Sequence, residues 1–147
     1  LELPVHRGSV ADEWVPPPPE TAAPWQHRVL RKGRSARRVE TELISGQTAL
    51  VVEEVSAEVE NLTHGLITAD SMVERWSIHP DDPLSAQSEI EWHQSFARGD
   101  WAVRTRAWSL MSSSQSDLIF TARVEAWEGE EKVFSRDFSS RVKRDHI

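Results

Sequence analysis

The residues of this chain with the most chemical potential are its six histidines: His6, His27, His64, His79, His93 and His146. No two stand at the His-x-x-x-His spacing that turns two imidazoles toward one zinc ion. The densest cluster is His79-Pro80-Asp81-Asp82-Pro83, where two carboxylates beside an imidazole could hold a hard cation or poise a base. The same five residues also suit a turn, because Pro presets φ and Asp bonds its own backbone between strands. There is no Cys, which removes thiol nucleophiles, disulfides and cysteine metal sites. No Ser stands in a Gly-x-Ser-x-Gly elbow, so the sequence offers no activated hydroxyl of the α/β-hydrolase kind. No catalytic residue, cofactor-binding residue, metal ligand or cofactor is therefore expected in this chain. A site built on His79, Asp81 and Asp82 is the enzymatic alternative.

Two short motifs have local explanations. Arg98-Gly99-Asp100 spells an adhesion tripeptide, yet Gly99-Asp100 also reads as a two-residue hairpin loop with Gly first. Asn61-Leu62-Thr63 fits the glycosylation pattern, but no secretion signal accompanies it. More unusual are seven Trp against no Tyr. Trp76, Trp92, Trp101, Trp108 and Trp127 fall in or beside expected strands, where indoles serve as core, as domain contacts or as platforms for apolar ligands.

The surrounding pattern says what must position these residues. Period-2 segments rich in β-branched and aromatic residues predict strands near Arg37–Ile44, Thr48–Val55, Ala57–Asn61, Met72–Ile78, Ser88–Ala97, Trp101–Ser112, Asp117–Trp127 and Lys132–Val142. Turn signals separate them, and no stretch keeps a helical apolar period. A Gly99-Asp100 hairpin sets Phe96 opposite Val103 and Trp92 opposite Ala107. Ile90 and Trp101 share that apolar face; Glu89, Glu91, His93, Arg104, Arg106 and Trp108 share the wetter one. A Glu128-Gly129 turn sets Val124 opposite Val133 and Glu125 opposite Lys132. Trp92, Phe96, Trp101 and Val103 are then expected to be buried together. The fold class that follows is all-β: an antiparallel meander, strongly twisted or partly closed into a barrel or sandwich. Residues 1–28 read as a terminal strand and proline-rich linker, with Pro16–Pro19 and Pro24 favouring extended polyproline geometry. Residues 29–147 read as the β domain.

Composition narrows the partners. The net charge of −7 argues against nucleic acid. No apolar run approaches membrane-spanning length and no signal peptide is visible, so no membrane partner is expected and the cytoplasm is the expected compartment. A start at Leu1 rather than Met fits a segment of a longer polypeptide.

Several segments together resemble the C-terminal region of bacterial hydrolases of the CocE/NonD type, related to the S15 peptidases. They are Leu1–Val5 (LELPV), Arg37–Thr48 (RRVETELISGQT), Arg75–Ala86 (RWSIHPDDPLSA), Arg98–Arg106 (RGDWAVRTR), Glu125–Phe138 (EAWEGEEKVFSRDF) and Arg141–Asp145 (RVKRD). They cover most of the chain in the family's order; none is specific alone. The resemblance implies a Ser-Asp-His triad in an upstream hydrolase domain, then a jelly roll ending at Leu1–Val5, then a connector over Val10–Pro24. None of the triad motifs is in this chain. The resulting expectation is a non-catalytic accessory domain of such a hydrolase, packing on the catalytic unit, shaping access to it or aiding assembly. Its expected partners are the parent hydrolase domains, with homo-oligomers possible. The alternative is a barrel-like ligand-binding domain with a Trp-lined apolar cavity.

Overall fold

A computed structural model describes Gly8 and residues 15–145. The expected jelly-roll strand at Leu1–Val5, together with His6 and His146, lies outside the described residues. Residues 15–26 are exposed and belong to no strand. Nine strands follow: β1 (His27–Arg31), β2 (Arg34–Thr41), β3 (Thr48–Val55), β4 (Glu58–Asn61), β5 (Ile67–His79), β6 (Asp82–Arg98), β7 (Trp101–Ser113), β8 (Asp117–Glu128) and β9 (Glu131–Lys143). All pair antiparallel in one sheet. No helix of the described residues is long and apolar enough to cross a membrane.

The path is simpler than the strand count suggests. β2 and β3 form a hairpin, β1 pairs with β4, and β3 and β4 both pair with β5 along the same edge. β1–β2 therefore acts as one interrupted outer strand, and β3–β4 as the next. The interruption is a bulge: between the Val55–Ser71 and Val59–Thr68 pairs, Ser56, Ala57 and Glu58 face only Ala69 and Asp70. One extra residue bends the strand and raises its twist. Gly33 sits opposite, and a Cβ there would lie 2.8 Å from the Val55 carbonyl oxygen and 2.9 Å from the Ala57 nitrogen. Only glycine lets the two backbones approach this closely.

Three tight loops lock the rest of the meander. Pro80-Asp81, Gly99-Asp100 and Gly129-Glu130 each leave two residues outside the ladders, which close at His79–Asp82, Arg98–Trp101 and Glu128–Glu131. The register deduced around Gly99-Asp100 is the one formed: Phe96 pairs with Val103 and Trp92 with Ala107. The last hairpin differs from expectation. Gly129, at φ 56°, takes the first loop position rather than the second. A bulge follows, so Val124 pairs with Arg136 and Glu125 with Ser135 instead of Val133 and Lys132. The left-handed conformation that glycine accepts decides where the loop starts.

The sheet is open and stands as a single layer. β1–β2 and β9 are free edges, and no ladder joins them; the partly closed alternative is not what forms. Among the described residues only Ala49, Val51 and Val52 are buried apolar residues, and no large side chain is fully buried. A compact monomer of 16.7 kDa exposes about 7,600 Å². This chain exposes 11903 Å², well above that value. Trp92, Phe96 and Trp101 do share a face, but they are 44%, 37% and 45% exposed. Their expected burial fails because no second layer lies over them.

Candidate functional site

Alternation along each strand divides the side chains into two faces of opposite chemistry. Trp108, Glu89, Glu91, His93, Arg106, Arg123, Glu125 and Trp127 belong to the wet one. Its charges satisfy one another. The Arg106 guanidinium donates to both oxygens of Glu91, at 3.0 and 2.9 Å. That bond holds the Glu91 carboxyl below the usual carboxylate range, helped by His93. Arg123 donates to Asp137, Lys132 to Glu125, and Arg75 and Arg38 both to Glu40. Each of these carboxyls is lowered in turn, first by that hydrogen bond. The Trp108 indole N–H donates to Glu89 at 2.7 Å. Trp127 lies beneath Arg104 and Lys132, 5.0 and 5.2 Å from its ring centre. A depression of about 550 Å³ on this face is lined by Arg106, Trp108, Arg123, Glu125 and Asp137. Its lining charges are already paired, so it offers no free charge to a ligand.

The other face carries most of the large apolar side chains, with Arg37, Glu54, Glu74, Arg98 and Arg136 standing among them. One row runs Val39, Leu50, Trp76, Ser88, Met111, Phe120, Ser140, from β2 to β9. A second runs Glu54, Met72, Trp92, Ala107, Val124, Arg136. A third runs Arg37, Val52, Glu74, Ile90, Ser109, Ala122, Phe138. Large and small residues alternate, so the surface is corrugated: Ser88, 7% exposed, is the floor between Trp76 and Met111. Trp76, Met111, Phe120 and Phe138 stand 44%, 45%, 40% and 39% exposed. So many large apolar side chains standing open on one face are unusual for a monomer.

The residues singled out for chemistry are spent locally. His79-Pro80-Asp81-Asp82-Pro83 forms the β5–β6 loop and the start of β6. The Asp81 N–H donates to His79 Nδ1 at 3.2 Å, the Leu84 N–H to Asp82 Oδ1 at 3.0 Å, and the His79 N–H to Ser85 Oγ at 2.7 Å. Among the described residues no group of three His, Asp or Glu could hold a metal ion. Arg98-Gly99-Asp100 is the β6–β7 hairpin tip. Asn61 accepts from the Thr63 N–H at 2.9 Å, an ordinary Asx turn. His27 stacks on Trp25 with ring centres 4.6 Å apart, and His64 accepts from the Leu66 N–H. His93 bonds Glu91 at 2.6 Å and faces Ser71 across the ladder. Sequence spacing alone did not bring Ser, His and Glu together here. No hydrogen bond links Ser71 to His93, and Glu91 is committed to Arg106, so the hydroxyl is not activated.

No protein-family model, curated protein or solved structure matches the chain.

Proposed function

We propose that this chain is a non-catalytic packing module whose apolar face works covered by another protein layer. The single observation behind this is the corrugated, uncovered face beside a wet face whose charges are already paired. Burying the former is favourable at about 25 cal/mol per Å²; burying the latter would strip water from ion pairs for little gain. The ordered resemblance to CocE/NonD-type hydrolases gives the setting: an accessory module that aids assembly of a larger bacterial enzyme whose triad lies elsewhere. A Trp-lined ligand cavity fits less well, because Trp76, Trp92 and Trp101 are spread over a broad surface rather than around an enclosed volume. The test is the double substitution Trp92→Ser with Met111→Ser in the longest polypeptide that carries this segment. Lower melting temperature and weakened assembly, with strand content kept, are expected. Unchanged stability and assembly would overturn the proposal.

A further inference from the structure

We infer that the layer covering the apolar face is the same face of a second copy of this chain. The inference rests on the packing-module reading and names its partner. The area suffices. Six strand positions overlap in this pairing, and at about 4.8 Å spacing with about 13 residues at about 3.3 Å rise they make a face of roughly 1,000 Å². A standard stable interface takes about 800 Å² from each partner.

The pattern is also self-complementary about a two-fold axis that runs along the strands between β6 and β7. Such an axis lays β6 of one copy over β7 of the other, β5 over β8, and β3 over β9. Several large residues then meet small ones, while Trp76 meets Phe120, Met72 meets Val124 and Glu74 meets Ala122. Trp92 falls on Ala107, Met111 on Ser88, Ile90 on Ser109 and Leu50 on Ser140, following the cross-strand pairs of the sheet. Facing sheets interdigitate in this way at about 10 Å separation.

Charge agrees with shape. Glu54 and Arg136 end the row of Trp92 on opposite flanks, and the axis brings each onto the other. Arg136 lies over the Phe138 ring at 4.8 Å and makes no ion pair among the described residues. Glu54 reaches only Arg37, at 3.4 Å. The same operation sets Arg98 over Trp101, a cation on an indole face. An isologous contact of this kind closes at two copies.

Sedimentation equilibrium of the full chain tests the inference. A mass twice 16.7 kDa is expected. Ala107→Trp adds bulk at an exposed position, leaving each sheet intact by circular dichroism but filling the hollow that receives Trp92. It should weaken the dimer at least about tenfold, roughly 1.4 kcal/mol. Arg136→Glu and Glu54→Arg should each weaken it, and the two together should restore it, which a purely structural role for either residue would not produce. A dimer indifferent to Ala107→Trp and to the charge exchange would overturn the inference. A chain that stays monomeric would overturn it too, and anilinonaphthalene sulfonate then separates two cases. A monomer that binds the dye strongly loses only the second copy as partner. A monomer that does not bind it loses the packing-module reading as well.

Discussion

Replacing Trp92 and Trp108 by Ala, one at a time, should give costs whose order reverses with assembly. Trp92 is 44% exposed, so roughly 140 Å² of a tryptophan's about 250 Å² is covered within one sheet. At about 25 cal/mol per Å², reduced for a compact unfolded state, Trp92→Ala costs about 2–3 kcal/mol in the dissociated chain. Trp108 is more enclosed and its indole N–H is bonded to Glu89, so Trp108→Ala costs about 3–4 kcal/mol. Covering the apolar face buries the remaining roughly 110 Å² of Trp92, adding about 2.7 kcal/mol, and leaves Trp108 in water. Trp92→Ala then becomes the costlier change, at about 5 kcal/mol. Urea midpoints for both variants at low and high protein concentration read the reversal directly, since assembly stabilises by mass action. If Trp92→Ala is costlier in the dilute chain, or its cost does not change with concentration, the open-face account is wrong.

Three other outcomes follow from the same geometry. Gly33→Ala forces a methyl into the backbone of Val55 and Ala57 and should cost about 1–3 kcal/mol, seen as a lower urea midpoint. The depressed carboxyls of Glu40, Glu91, Glu125 and Asp137 contribute stability that is present above their unfolded values, 4.5 for Glu and 3.8 for Asp. That stability should fade as pH drops from about 4.5 through the lower folded values, and thermal melts across this range should show it. Activated esters should not be turned over above buffer by the isolated chain, because among the described residues no hydroxyl is paired with a free base; turnover lost on Ser71→Ala would contradict this.

Period-2 patterning located β3, β4, β7, β8 and β9 and the later parts of β5 and β6, while the strand expected over Arg37–Ile44 ends at Thr41; the Gly99-Asp100 loop fixed the central register because a two-residue loop allows one pairing. The last hairpin slipped because composition does not show whether Gly129 opens or closes its loop. β1 and the first half of β5 were missed because their short segments owe their pairing to the bulge at Ser56–Ala57, a tertiary feature without a local signal. The division into an apolar and a wet face was legible, and so was Trp108's place on the latter. That the apolar face lies open was not, since alternation says which way Trp92 points but not whether anything stands above it. The near approach of Ser71, His93 and Glu91 was likewise hidden, because it depends on the β5–β6 register.

Photochemical oxidation footprinting of the assembled and the diluted chain tests the central claim most directly. The account predicts that Trp76, Trp92, Met111, Phe120 and Phe138 are protected together on assembly while Trp108 and Trp127 oxidise equally in both states. Equal oxidation of Trp92 and Met111 in the two states, or protection of Trp108 and Trp127 instead, would contradict it.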